Sequence, residues 1–178
     1  MVRFETRIVI QRPVVEVFEF TTPFENIPQW IPQIPGARQT SPGPMGVGTI
    51  GREEWGRFPL RQIAKNWESV AMTLILGTLT ADLNTYRAWE VTEYEPNEKC
   101  VFRSKTWRLS STVGFHFKPA EGGTELLCLD EHQLHGPFKL AEPIMARKFP
   151  KGRPFLLGNL KRVLETRSQS SVQQPAKG

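Results

Sequence analysis

Cysteine is nearly absent from this sequence, and the two that occur, Cys100 and Cys128, form no CxxC pair. A disulfide-stapled or zinc-ribbon architecture therefore has nothing to be built from. Both cysteines fall in segments that read as strands, where a free thiol acts as a small buried hydrophobe in a reducing compartment. Long apolar runs are missing as well. The best candidate, Met72 to Leu79, is broken by Thr73, Gly77 and Thr78, so no membrane span is expected. The opening MVRFETRIVIQRP interleaves charged and apolar residues and offers no continuous leader core. A cytoplasmic chain is the expectation. No GxGxxG follows a strand, and P-loop and GxSxG signatures are missing, which leaves nucleotide cofactors and serine-hydrolase chemistry without support. Histidine is scarce too. His132 and His135 form HxxH, but residues three apart on a strand point to opposite faces, and no third ligand has metal-like spacing. Neither a metal nor a cofactor is expected.

What is present is globular in character. A chain of 178 residues with 39% hydrophobic and 23% charged side chains fits one domain, long enough to bury a sizeable core. The net charge is +5, and part of the excess gathers late in the chain at Lys139, Arg147, Lys148, Lys151, Arg153, Lys161, Arg162 and Arg167. With no helix-turn-helix or zinc finger beside it, this cluster reads as a solvated face, and no nucleic-acid partner is expected.

Periodicity divides the chain into a strand, two short helices, a run of strands and a long helix. Arg3 to Gln11 alternates apolar and polar residues, as a half-buried strand does. Pro13 opens a short helix with Val14, Val17 and Phe18 on one face, and a second short helix is predicted over Phe24 to Trp30. Strands are expected near Ala37 to Ser41, Val47 to Trp55, Thr85 to Tyr94, Cys100 to Trp107, Ser110 to Lys118 and Thr124 to Leu134. Their short turns imply an antiparallel meander. From Pro137 to Arg167 the period becomes helical, with Phe155, Leu156, Leu160, Val163 and Leu164 on one side. Pro143, Pro150, Gly152 and Pro154 predict two helical pieces with a kink or loop near Pro150 to Pro154. The tail from Ser168 has too few apolar residues to pack and is expected to be disordered. Segregated strands and helices of this kind define an α+β architecture.

At this point five pieces occur in a telling order: RPVVEVFEFTTPFENIPQWIP, SPGPMGVGT, WEVTEYEPNEKCVF, GGTEL and NLKRVLE. Together they resemble the START-related polyketide cyclase/dehydrase group, part of the superfamily that shares the birch-pollen-allergen helix-grip fold. The similarity covers most of Val2 to Arg167. It implies a curved sheet of six or seven antiparallel strands, two short helices closing one end, and a cavity beneath the long last helix. Relatives in that superfamily include lipid carriers, cyclases and quinone-binding proteins. They share no catalytic residue, and fold alone does not assign function.

One departure from that pattern is the long connection from Gly56 to Asn84. Leu60, Ile63, Trp67, Val70 and Leu74 recur there at spacings of three and four, which predicts a helix that covers the sheet or acts as a lid or dimer surface. The candidate site residues come from alternation along the strands. Glu53 and Trp55 share one strand face; Arg87, Trp89 and Val91 share another; Asp130, His132 and Leu134 share a third. If those faces are concave, the charged groups must be paired, Arg87 with Glu53 or Asp130. If they are convex, an exposed Arg or Glu needs no explanation, and a one-residue slip or bulge exchanges the two cases. Trp55, Trp89 and Trp107 are candidates for stacking on a flat ligand, with Val91, Phe115, Phe117, Leu156 and Leu160 as further lining. Trp30 is expected to plug the two short helices onto the sheet, and His116, between Phe115 and Phe117, is expected to face away from the core.

Two functions fit. The first is a carrier that sequesters a hydrophobic small molecule (a lipid, quinone or polyketide-like compound) in an internal cavity. The second is a cyclase, aromatase or dehydratase in which Asp130 with His132, or Glu53 with Arg87, moves protons. A monomer or homodimer suits either.

Overall fold

The structure is a computed structural model. It describes residues 1–54 and 86–172, with side chains through residue 167. Trp55, the predicted helix within 56–84 and the end of the tail lie outside the described residues.

Seven strands form one antiparallel sheet: β1 (Val2–Ile10), β2 (Gly36–Gln39), β3 (Ile50–Glu54), β4 (Tyr86–Glu95), β5 (Lys99–Lys105), β6 (Leu109–Ala120) and β7 (Gly123–Leu134), in spatial order β1-β7-β6-β5-β4-β3-β2. The chain leaves β1 at one edge, crosses the concave face through helix α1 (Val14–Thr21) and a 3₁₀ turn (Phe24–Gln29), and enters the opposite edge at β2. From β2 it walks back across the sheet to β7. A second 3₁₀ turn (Gly136–Ala141) then leads into the long helix α2 (Glu142–Val172).

Local chemistry explains these elements. Pro13 precedes α1 in extended backbone, and Val17, Phe18, Phe20 and Thr21 are the buried face. The segment after Pro23 forms a 3₁₀ turn because Pro28 lies inside it, and Trp30 caps it through its backbone N–H to the Ile27 carbonyl. β3 starts later than the alternation suggests. Met45 to Thr49 is spent on a turn in which Gly48 takes φ +83°, the Thr49 N–H donates to the Gly46 carbonyl at 3.0 Å, and the Thr49 Oγ1 accepts from the Gly46 N–H at 2.9 Å. On β3, Gly51 is required: a Cβ there would overlap the Phe24 ring.

Face parity, left open by the sequence, is resolved. Arg87, Trp89 and Val91 of β4 are buried, as are Glu53 of β3 and Asp130, His132 and Leu134 of β7. A bulge between Val91 and Glu93 reverses the alternation of β4, so that Tyr94 returns to the inner face and meets Phe18 edge-on. His116 points away from buried Phe115 and Phe117, and Trp30 packs edge-on against Phe115.

Helix α2 corrects two expectations. It runs unbroken through Pro150 and Pro154, with no loop between two pieces. Each proline removes one donor, but the carbonyl freed by Pro150 belongs to exposed Ala146, where water can replace the lost bond. The buried stripe is Leu157, Leu160 and Leu164, with Leu156 and Val163 flanking it, while Phe155 is 61% exposed. The helix also continues to Val172, beyond the boundary expected at Arg167.

Candidate functional site

The register of the sheet aligns polar side chains into a belt across the concave face. Glu53 lies opposite Arg87, Ser104 opposite Ser111, and Ser111 opposite His132. One row further along, Asp130 lies opposite Val113. All of these polar residues are buried. The belt divides the interior into two apolar clusters. The larger contains α1, the first 3₁₀ turn and the C-terminal half of α2. The smaller gathers Val2, Leu109, Leu134 and Met145 with Phe4, Phe138 and Phe149.

The belt is held by specific bonds. Arg87 Nε donates to Ser104 Oγ at 3.2 Å, and the Arg87 guanidinium lies 4.1 Å from the centre of the Trp89 ring. Ser104 Oγ in turn donates to the Ala88 carbonyl at 2.6 Å. His132 Nδ1 is 2.9 Å from Ser111 Oγ, and its Nε2 is 3.6 Å from Asp130 Oδ1. The central contact comes from α2: Arg153 Nε donates to Asp130 Oδ2 at 2.8 Å, and Nη2 donates to Oδ1. This fork-to-fork pairing lets a fully buried carboxylate stay ionised.

Electrostatics follow from that geometry. Burial alone would raise Asp130, but the Arg153 guanidinium beside it, with the His132 ring nearby, holds its carboxyl below the ordinary range. Burial likewise opposes the charge on Arg153, yet the carboxylates around it, Asp130 and Glu53, hold it above its usual value. Arg87 is pulled down by burial to about 10 with Glu53 opposing, so it remains a cation at neutral pH. His132 is pushed below its ordinary value by burial, against the pull of Asp130, and is neutral at pH 7. Burial drives the Cys100 thiol up to about 12 and raises Cys128 as well, so neither serves as a nucleophile.

Between the belt, the first 3₁₀ turn and α2 lies a cavity of about 130 Å³, partly open to solvent. Thr21, Phe24, Ile27 and Trp30 form one wall, continued by Ile31 and Ile34. Glu53, Trp89, Phe102, Val113 and Phe115 form the sheet wall, and Arg153 and Leu156 close it from α2. Of the residues expected from the sequence, Glu53, Trp89, Phe115 and Leu156 therefore meet at the cavity. Arg87, Asp130 and His132 lie in the belt behind it. Val91, Phe117 and Leu160 are buried in the larger cluster but do not line the cavity. Trp107 is displaced altogether: it sits in the turn between β5 and β6, 59% exposed, edge-on to Phe138. Its strand ends at Lys105, so the alternation that would have aimed it inward no longer applies.

Sequence reasoning misses much of the wall, Thr21, Phe24, Ile27, Phe102 and Val113 among it, and above all Arg153, which reads there as part of the solvated basic cluster. It belongs to the buried stripe of α2, four residues before Leu157, seven before Leu160 and eleven before Leu164. A cation on an apolar stripe is the signal that could have found it. Among the described residues no group of three His, Cys, Asp or Glu side chains is placed to hold a metal ion. No helix among them is long and apolar enough to cross a membrane.

A sheet gripping a long helix over a cavity defines the helix-grip class of ligand-binding folds. The family model for polyketide cyclase / dehydrase and lipid transport matches residues 1–165, and the chain belongs to that family. Solved structures agree on the fold. A protein of unknown function from Staphylococcus aureus is 12% identical, with a TM-score of 0.63 over 94% of this chain and 96% of its own. Ara h 8.0201 is 13% identical, with a TM-score of 0.61 over 92% and 97%. A protein of the dynemicin biosynthetic locus is 18% identical, with a TM-score of 0.59 over 93% of this chain and 48% of its own. No curated protein matches the sequence.

Proposed function

We propose that this protein binds and sequesters a hydrophobic small molecule in the cavity between the sheet and α2. The observation that carries this reading is the composition of the wall, which among the described residues is apolar and aromatic except for Thr21, Glu53 and Arg153. Small-molecule sites are concave, mostly apolar and fitted with a few placed polar groups. Family membership supports the same reading, since lipid transport is among the activities the family model describes.

A carrier is favoured over a cyclase or dehydratase working through Asp130 and His132 by the state of that pair. Asp130 is committed to Arg153 through both oxygens, and His132 is directed to Ser111 and Asp130 rather than to the cavity. In this reading Asp130, His132 and Arg87 fix the polar end of the chamber, and Trp89, Phe115 and Leu156 contact the guest. Ligand-observed NMR with toluene tests it. Saturable binding is expected, weakened several-fold by Trp89→Ala. Binding that persists unchanged in that variant would place the guest elsewhere.

A further inference from the structure

Among the described residues, three groups able to donate sit on cavity-lining residues without a hydrogen-bond partner: Thr21 Oγ1, Trp30 Nε1 and Trp89 Nε1. All three residues are more than nine-tenths buried. Native interiors rarely leave such groups unsatisfied, because each forfeits its hydration without a bond in return. Three around one chamber point to something that supplies their missing partners. The indole N–H groups can only donate, and the hydroxyl can donate as well. Arg153 adds a fourth donor. Its Nε and Nη2 are committed to Asp130, which leaves Nη1 as the guanidinium group that Asp130 does not use, on a residue that also lines the cavity.

The wall is thus apolar in bulk and rich in donors. Its charges balance, Arg153 against Glu53 in the wall and Arg87 against Asp130 in the belt behind it. A charged guest of either sign would upset that balance in a buried site, and the unpartnered groups are donors, which favours a neutral acceptor over an ammonium. Size narrows the class further. At about 130 Å³ the chamber resembles an engineered apolar cavity of about 150 Å³ that takes up benzene, so one ring fills it and any longer chain on a guest would extend through the open side.

We infer that the cavity selects neutral, ring-sized apolar molecules carrying a carbonyl-type acceptor oxygen, with Arg153 and the Thr21, Trp30 and Trp89 donors as its specificity-determining groups. The inference rests on the cavity reading above but asks more of it, namely a preference among guests of equal size.

Calorimetric titrations with acetophenone, ethylbenzene and benzoate test the preference. Acetophenone should bind about tenfold more tightly than ethylbenzene, the scale of one hydrogen bond from a charged donor, and benzoate should bind more weakly than acetophenone. The carbonyl stretch of bound acetophenone should fall below its value in water-free apolar solvent. In the paired variant Arg153→Met/Asp130→Asn, which removes both partners and strands no charge, the advantage of acetophenone should shrink toward unity and the stretch should move back up. Should that variant fail to fold, Thr21→Val and Trp89→Phe each remove one donor while keeping shape, and each should cut the advantage two- to threefold. Ethylbenzene binding as tightly as acetophenone, or a carbonyl frequency that ignores every variant, would overturn the inference and leave the cavity reading standing. Failure of all three compounds to bind would remove both.

Discussion

The two apolar clusters on either side of the polar belt are built differently, and the contrast shows where ligand binding resides. The smaller cluster packs side chains from three sources into one another: Val2 from β1, Leu109 and Leu134 from the sheet centre, Met145 from α2, with Phe149 meeting both Phe4 and His132. The larger cluster has more aromatic rings, yet those rings surround a cavity. Its helical side is made of α1, the first 3₁₀ turn and the C-terminal half of α2. The 3₁₀ turn, rising about 2.0 Å per residue, spaces Phe24 and Ile27 more widely than an α-helix would. The belt between the clusters fixes both. Asp130 ties α2 to β7 through Arg153.

The largest effect expected from breaking this arrangement is at the tie. Asp130→Ala leaves the Arg153 guanidinium buried without its carboxylate and should cost about 3–5 kcal/mol in urea unfolding. A loss under about 1 kcal/mol would mean that the helix is held by apolar contacts alone. Next comes the tightly interlocked cluster: Leu134→Ala should cost about 2–5 kcal/mol and leave guest affinity untouched. A changed affinity would show that the two clusters are coupled across the belt.

Adding volume sharpens the contrast. In the smaller cluster Val2→Phe should overpack and cost about 1–3 kcal/mol. In the larger, Val113→Phe has the cavity to grow into, so its stability should be near that of the unmodified protein while guest binding is lost. Equal destabilisation by the two substitutions would deny that only one of the clusters has room.

The smallest effect is on pH dependence. His132 has a folded-state pKa below its ordinary 6.5, so the unfolded chain binds more protons near and below that pH. Its contribution to stability is present above pH 6.5 and is lost as the pH falls. Asp130, depressed from 3.8, adds a second loss as the pH drops below that value. Unfolding free energies measured from pH 7 to pH 5 should decline, and His132→Gln should flatten the decline. A slope of opposite sign would mean that His132 is protonated in the fold.

Much of this was legible in the residues themselves. Alternation, β-branched and aromatic content and turn signals together placed the seven strands, and the ordered motifs pointed to the helix-grip architecture. The inward direction of Glu53, Arg87, Asp130 and His132 was not legible, because parity depends on a bulge at Val91 and Glu93 and on a turn that consumes Met45 to Thr49. Proline content overstated the break in α2, since two missing donors do not outweigh a continuous apolar face. Trp107 was assigned to the cavity because its strand was drawn two residues too long. Arg153 was overlooked because charge was read as a sign of exposure, whereas its spacing from Leu157, Leu160 and Leu164 was a sign of burial.

The most direct test of the central claim is a titration with acetophenone, followed by tryptophan emission, on the unmodified protein and on Val113→Phe. The account predicts saturable one-site binding to the first and none to the second, with both unfolding cooperatively at similar denaturant concentrations. Equal binding to the two, or no saturable binding to the unmodified protein, would contradict it.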